Sequence, residues 1–264
     1  MIHSVDSMTF IYLIVYLTFG KLVLGLIWTK VMNFNALRAH RVYKVEISKK
    51  QKLRELKTSW HVISDGIALY ALNYFGLIQF SADTWQNIAL TFVMFYAWVE
   101  TWYYFTHALM HKNKWLYKYH RDHHLSLVIS PLSSISMSNV EKLIFYTSGW
   151  LVFMSLMSWV VPVSLYGIVA YYTYHFCISL HGHSNTEASR FNSAMTKLNM
   201  GSATSHAIHH ARFNKNLGFS NMFWDKVMGT YAPDTLAMQE KAIAKQGADS
   251  IKTRLYSTDN APSD

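Results

Sequence analysis

Cysteine is almost missing from this sequence, and its scarcity removes more chemistry than any other feature of composition. A single thiol, Cys177, excludes an intrachain disulfide and any metal site built from cysteines. Any metal is therefore held by nitrogen and oxygen. Charge is scarce as well: Asp, Glu, Lys and Arg make up 15% of the 264 residues, with 15 acids against 24 Lys and Arg. The resulting formal charge of +9 does not make a nucleic-acid module, because the basic residues alternate with long apolar runs instead of forming one charged surface. Nucleic acid is not expected as a partner.

What the chain has instead is apolar and aromatic, 51% and 16% of residues, which with a basic balance fits a membrane protein with basic cytoplasmic loops. Residues 8–28 are long enough to cross a bilayer, which takes roughly 20 apolar residues. They are too long for a secretory signal and lack its basic start and small-residue cleavage site, so they are expected to be retained as a first span. Lys21 interrupts this span and is expected to snorkel near its inner end. From Lys30 to Lys57 the chain turns basic, with Arg38, Arg41, Lys44, Lys49, Lys50, Lys52 and Arg54, and reads as a solvated face beside the membrane.

Further apolar stretches cover residues 61–80, interrupted by Asp65 and Gly66, then 87–106, 143–161 and 163–181. The last two are separated by Pro162, which predicts a tight hairpin. The expected fold is thus an all-α integral membrane helical bundle of about five spans, one membrane domain over residues 1–264. Residues 1–60 hold the first span and the basic loop, and 232–264 a cytoplasmic tail. With the basic loop 30–57 inside, the N-terminus, the 81–86 loop and the Pro162 turn fall outside.

Fourteen histidines are present, and eight of them fall in three short tracts. His107 and His111 stand four apart in HALMH, so on a helix both imidazoles leave the same face. His120, His123 and His124 form HRDHH, and the pattern returns as His206, His209 and His210 in HAIHH. The charge-derived topology collects all three tracts on the cytoplasmic side, at or beyond the ends of the third and fifth spans, as a histidine-rich helical cap. Eight neutral imidazoles bind one metal with spares or two metals at about four ligands each, and imidazole suits zinc, copper, iron and nickel alike. A zinc hydrolase rarely needs so many histidines, and the tracts lack an H-E-x-x-H arrangement. A metal transporter places its ligands within the spans, not beyond their ends. Oxygen activation at a di-iron centre beside a bilayer uses two all-nitrogen ligand sets.

At these residues the sequence resembles a known family. HALMH, HRDHH and HAIHH match the H-x3-H, H-x2-HH and H-x2-HH boxes of the fatty acid hydroxylase and sterol desaturase superfamily, membrane enzymes with a histidine-ligated di-iron centre. The likeness extends to Glu100, Pro131, Glu141, His183-x-Asn185, Asn216-Leu-Gly218 and Trp224-Asp225-x3-Gly229-Thr230-Tyr231, covering a catalytic region of roughly residues 95–231.

The resemblance implies an oxidoreductase that uses O2 and two electrons to hydroxylate, in preference to desaturating, a C–H bond of a lipid such as a fatty acid or sterol. It implies two iron ions, replaceable by zinc on isolation, and a lipid substrate drawn from the bilayer. A separate electron-transfer protein is expected, since no segment remains for a fused donor domain. The location expected is the endoplasmic reticulum of a eukaryote or the inner membrane of a bacterium. The implied metal ligands are His107, His111, His120, His123, His124, His206, His209 and His210, joined by His183. His175 and His181 compete with His183, which is preferred because the family often shows His-x-Asn at the end of this span.

Glu100 lies seven residues before His107 on the same helical face; it, Asp122 and Asp225 are expected to accept hydrogen bonds from ligand imidazoles and fix their tautomers. Trp98, Trp102, Tyr103, Tyr104, Trp115, Tyr117 and Tyr119 are expected to form an interfacial belt and to support the cap.

Overall fold

A computed structural model describes residues 7–250, so His3 and the end of the expected tail, 251–264, lie outside the described residues. The helices are α1 Ser7–Val31, α2 Asn35–Arg38, α3 Lys49–Lys57, α4 Ser64–Tyr74, α5 Trp85–Lys112, α6 Lys114–His124, α7 Ser148–Ser158, α8 Leu165–Gly182, α9 Arg190–Lys197, α10 Ala203–Arg212, α11 Phe223–Val227 and α12 Thr235–Ile243. No strand occurs among the described residues, and a few isolated bridges tie loops together.

Five elements run alternately up and down. α1 begins beside the 80s loop, where Phe10 meets Phe80 at a ring separation of 6.4 Å, and ends near the cap. α4 runs back, α5 returns, the 141–158 segment runs back again, and α8 returns to the cap. The 81–86 loop and the turn after Pro162 lie at one end: Ser81 N donates to the Val163 carbonyl at 2.9 Å and Val163 N to the Gln79 carbonyl at 3.1 Å. The histidine ends of α5 and α8 lie at the other. The two loops expected to share one side therefore do share one end of the bundle.

Length is where the expected spans and the helices part. Among the described residues, only the 8–31 stretch of α1 is long and apolar enough by composition to cross a membrane. The apolar run 61–80 forms an α4 of 11 residues, roughly 16 Å long, about half of a bilayer's ~30 Å core. Gly76, at φ +65°, stops it: the Leu77 N–H turns back to the Leu72 carbonyl at 2.8 Å, closing a left-handed helix end. Gly66, which interrupts the apolar pattern, lets α4 lie against α1, since a Cβ there would sit 2.0 Å from Thr18 Oγ1. The 143–161 run begins as a π-helical segment, Glu141–Thr147, before becoming α7.

Lys21 does not snorkel. It lies in the middle of α1, faces the core, and is 7% exposed. Trp98 and Trp102 likewise turn inward, their indole N–H groups donating to the Gly149 and Phe145 carbonyls at 3.2 and 2.6 Å, so they fasten α5 to the next helical segment and form no belt. Trp115 stays exposed. The basic loop is also more than a solvated face. Buried Glu55 on α3 accepts from Ser126 and Ser130 at 2.8 and 2.6 Å, and Asn185 clamps both backbone groups of Tyr43, so the loop is laced onto the histidine end.

Candidate metal centre

The first histidine pair sits in the last two turns of α5, buried His107 below half-buried His111. A single residue, Asn113, then ends α5 and starts α6: its side chain accepts from the N–H groups of Trp115 and Leu116, capping the new helix. That abrupt turn folds α6 back so that the second box meets the first. The third box lies on α10, whose start is closed by a reciprocal Ser202–Ser205 capping box. His183 is the residue that ends α8.

These elements bring nine imidazoles together as two groups, His107, His111, His120, His124 and His209 in one, and His123, His183, His206 and His210 in the other. The partition follows from the helix repeat. Residues four apart share a face, so 107/111, 120/124 and 206/210 each enter one group as a pair. The middle histidine of each H-x2-HH box points aside and crosses to the other group: His123 joins 206/210, and His209 joins the first two pairs. The groups abut, with the His124 and His210 rings 4.6 Å apart between centroids.

Inside each group the Nε2 atoms converge. His107, His111 and His120 stand 3.0–3.2 Å apart at Nε2, and His124 lies 2.9 Å from His120 and 3.2 Å from His209. In the second group His206 is 2.8 Å from His183 and 3.1 Å from His210, which is 3.1 Å from His123. On the outer side, Nδ1 of His107, His123, His183 and His209 faces a backbone carbonyl, of Leu217, Ser136, Ser179 and Lys215 in turn, at 2.8–3.1 Å. A carbonyl oxygen only accepts, so in the neutral ring the single proton is on Nδ1 and the Nε2 lone pair points inward. Several lone pairs then face one another with no proton between them, an arrangement that a cation between them would make favourable. Burial holds the imidazoles of His123, His124, His183, His206, His209 and His210 below their ordinary 6.5, His123 at about 4, so the rings are neutral, as ligands must be. Both groups can hold a metal ion.

With this geometry in hand, the family question has an answer. The fatty acid hydroxylase family model matches residues 92–230, more than half of the chain. The chain belongs to that family. Among curated relatives, sphinganine C4-monooxygenase 1 of Arabidopsis thaliana is 30% identical over 161 residues, 58% of this chain and 58% of the relative. A very-long-chain aldehyde decarbonylase of Oryza sativa subsp. indica is 24% identical over 245 residues, 89% of this chain and 38% of the relative. Protein CER1-like 1 of Arabidopsis thaliana is 25% identical over 258 residues, 94% and 41%. The matched region spans less than two thirds of these relatives. No solved structure matches.

Within this fatty acid hydroxylase domain the supporting carboxylates differ from those expected. Glu141 is the carboxylate that meets a site histidine: its Oε1 accepts from His120 Nδ1 at 2.7 Å. It lies in the π-helical segment, 21 residues from His120; the sequence marks it as one position of the family likeness and as a carboxylate opening an apolar run, with no role attached to it. Glu100 does not touch His107; it accepts from Ser220 N and Oγ and from Asn221 N and Nδ2, fixing the loop after Gly218. Asp225, whose carboxyl burial pushes above its ordinary value, accepts from the N–H groups of Leu217 and Gly218, and so orients the Leu217 carbonyl that receives His107. Asp122 is half-buried and makes no hydrogen bond to a histidine. His175 stacks on Phe219 and meets Trp150 edge to face, and neither it nor half-buried His181 is in either group. A narrow cavity opens on the second group, with His123 and His183 in its wall beside Glu141, Tyr146 and Phe219.

Proposed function

We propose that the protein is a membrane-bound lipid hydroxylase of the fatty acid hydroxylase family, with an iron ion in each histidine group. The observation that carries this reading is the inward convergence of nine imidazole nitrogens in two abutting groups, with the other nitrogen of five of the rings anchored outward. When bound, the iron pair supplies the oxidation of an unactivated C–H bond by O2. One oxygen atom enters the C–H bond, and the other leaves as water with two protons and two electrons from a separate donor protein. The chain's own residues hold the rings: Glu141 keeps the His120 proton on Nδ1, and the carbonyls of Leu217, Ser136, Ser179 and Lys215 do the same for four others. This raises the basicity of the inward nitrogens and fixes ring orientation. The lipid enters from the side of His123 and His183, where the cavity lies. α1 crosses the bilayer, the other four elements of the bundle sit within it, and the histidine end faces the cytoplasm beside the basic loop.

The choice of hydroxylation is supported by the likeness to a sphinganine C4-monooxygenase. A second reading, removal of the carbonyl carbon of a long-chain aldehyde, has its own support, because the aldehyde decarbonylase of rice matches 89% of this chain. Isotopically labelled O2 given to cells expressing the gene, followed by lipid mass spectrometry, separates the two. A hydroxylase leaves one labelled oxygen in the lipid. A lipid shortened by one carbon, or carrying a new double bond without label, overturns the hydroxylase reading.

A further inference from the structure

α3 is built inside out. Its polar side chains face the protein: Gln51 Nε2 donates to Glu55 Oε1 and to the Val128 carbonyl, both at 2.7 Å, and Arg54 Nη2 donates to Ser126 Oγ at 2.7 Å. The Thr58 hydroxyl, just past the helix, meets Ser136 Oγ at 2.7 Å. Glu55, the only carboxylate of α3, is 1% exposed. The apolar side chains face outward, with Leu53 60% and Leu56 50% exposed, and Trp60 in the turn that follows 56% exposed. Residues 51, 54, 55 and 58 share the inner face at helical spacing, and 49, 53 and 56 share the outer one, so the inversion belongs to whole faces. A helix bathed in water on its outer side carries the opposite polarity, with its apolar stripe turned to the core.

Charge and continuity decide what meets those leucines. Lys49, Lys50, Lys52 and Lys57 stand exposed around them, with no exposed carboxylate on α3 to offset them. The turn Trp60–Ile63 packs against α1, and Ile63 joins the same small cluster, Leu132 and Ile135, as Leu22 of α1. α1 is the helix whose composition suits a bilayer crossing, and it presents Val15, Phe19, Val23 and Ile27 along its outer face before Lys30. α3 thus lies beside the inner part of that span, where acyl chains give way to headgroups. Leucine and tryptophan set among lysines are the composition of a helix that rests in an anionic interface. These residues fall outside 92–230, so the family likeness does not account for them.

We infer that α3 is a membrane-surface helix: Leu53, Leu56 and Trp60 enter the acyl boundary of the cytoplasmic leaflet, and the four lysines pair with anionic lipid headgroups. This rests on the membrane-bound reading of the protein and adds a flat-lying attachment to the spanning one. It also reaches the site. The segment that α3 and Thr58 hold through Ser126, Ser130 and Ser136 supplies Ser134 and Ile135 to the cavity wall and the Ser136 carbonyl to His123. The bilayer therefore braces one wall of the cavity through α3.

The test measures depth. Full-length protein with its one cysteine removed by Cys177→Ser carries a nitroxide label at Leu53→Cys or at Leu56→Cys. Val15→Cys on α1 is the lipid reference and Glu240→Cys on α12 the water reference, both at exposed positions. The protein is reconstituted in vesicles of phosphatidylcholine mixed with phosphatidylserine, and in phosphatidylcholine alone, and collisions of the label with O2 and with a water-soluble nickel chelate are read by electron spin resonance. Both α3 labels are expected ~5–10 Å inside the headgroup boundary in the mixed vesicles, open to O2 and shielded from nickel like the Val15 label, and shallower in phosphatidylcholine alone. Nickel contact like that of the Glu240 label overturns the inference. So does shielding from both probes, which would mean that protein covers the helix, a second copy of this chain included. Equal depth in the two vesicles overturns the pairing of the lysines with anionic headgroups. A Val15 label that meets water sinks the membrane reading, and the inference with it. The two α3 sites are read independently, so one variant that fails to fold leaves the other to decide.

Discussion

The two histidine groups use the same building rule and differ in reserve. The first holds five imidazoles, including two helical pairs contributed by segments close in sequence, His107/His111 and His120/His124, with one arrival from afar in His209. The second holds four, of which only His206/His210 is a helical pair; His123 and His183 come from two other elements. The first group is closed apart from half-buried His111, whereas the second opens on the cavity. The difference is one of reserve and access: the closed group has five imidazoles, and the group that opens on the cavity has four.

The sharpest way to break that comparison is to remove one ligand from each side. His206→Ala leaves three imidazoles in the second group, and elemental analysis should show a loss of about one metal ion per chain, with oxidation abolished. His111→Ala leaves four in the first group and should retain both ions, more weakly held. Equal losses from the two variants would show that the groups do not differ in reserve.

Next in size is the support of a ring. Glu141→Ala deprives His120 of its acceptor and should cost ~10–100-fold in metal affinity or activity. An effect no larger than that of a surface substitution would mean that the π-helical segment has no part in the first group.

The pH response sharpens the comparison further. In the metal-free protein burial lowers the His123 imidazole from 6.5 to about 4. The unfolded chain therefore binds more protons than the folded one between these values, so this stability is intact above 6.5 and is lost as pH falls toward 4. Thermal unfolding of metal-free protein, followed across that window, should show a midpoint that drops on acidification. A flat profile would contradict buried neutral imidazoles.

The smallest effect is expected at Asp122, beside His123 in sequence but bonded to no histidine. Asp122→Asn should change stability by no more than about 0.5 kcal/mol, and leave metal content unchanged. A large loss of metal would assign it the supporting role that the structure gives to Glu141.

Much of this arrangement is legible in the residues. Spacings of four on helices predict the paired imidazoles, and the His-x-Asn pattern singles out His183 over His175 and His181, as the structure's grouping also does. That the 81–86 loop and the Pro162 turn meet at one end follows from the order of the apolar runs. What is not legible depends on tertiary packing. The partner of His120 is set by a π-helical segment that brings Glu141 across 21 residues, and no local pattern announces that turn. Lys21 looks like a snorkelling residue in a linear reading; only the packing of α1 against α4 and α8 shows that its side of the helix faces inward. The apolar run 61–80 has a span's length, yet Gly76 folds the chain out of the helix after Tyr74.

The central claim is that two separate all-imidazole groups hold two metal ions that act together on a lipid. Elemental analysis of the purified, active, full-length protein tests it most directly. The account predicts about two iron ions per chain at saturation, with activity falling in step as either is removed. A single ion at saturation with oxidation intact would contradict it.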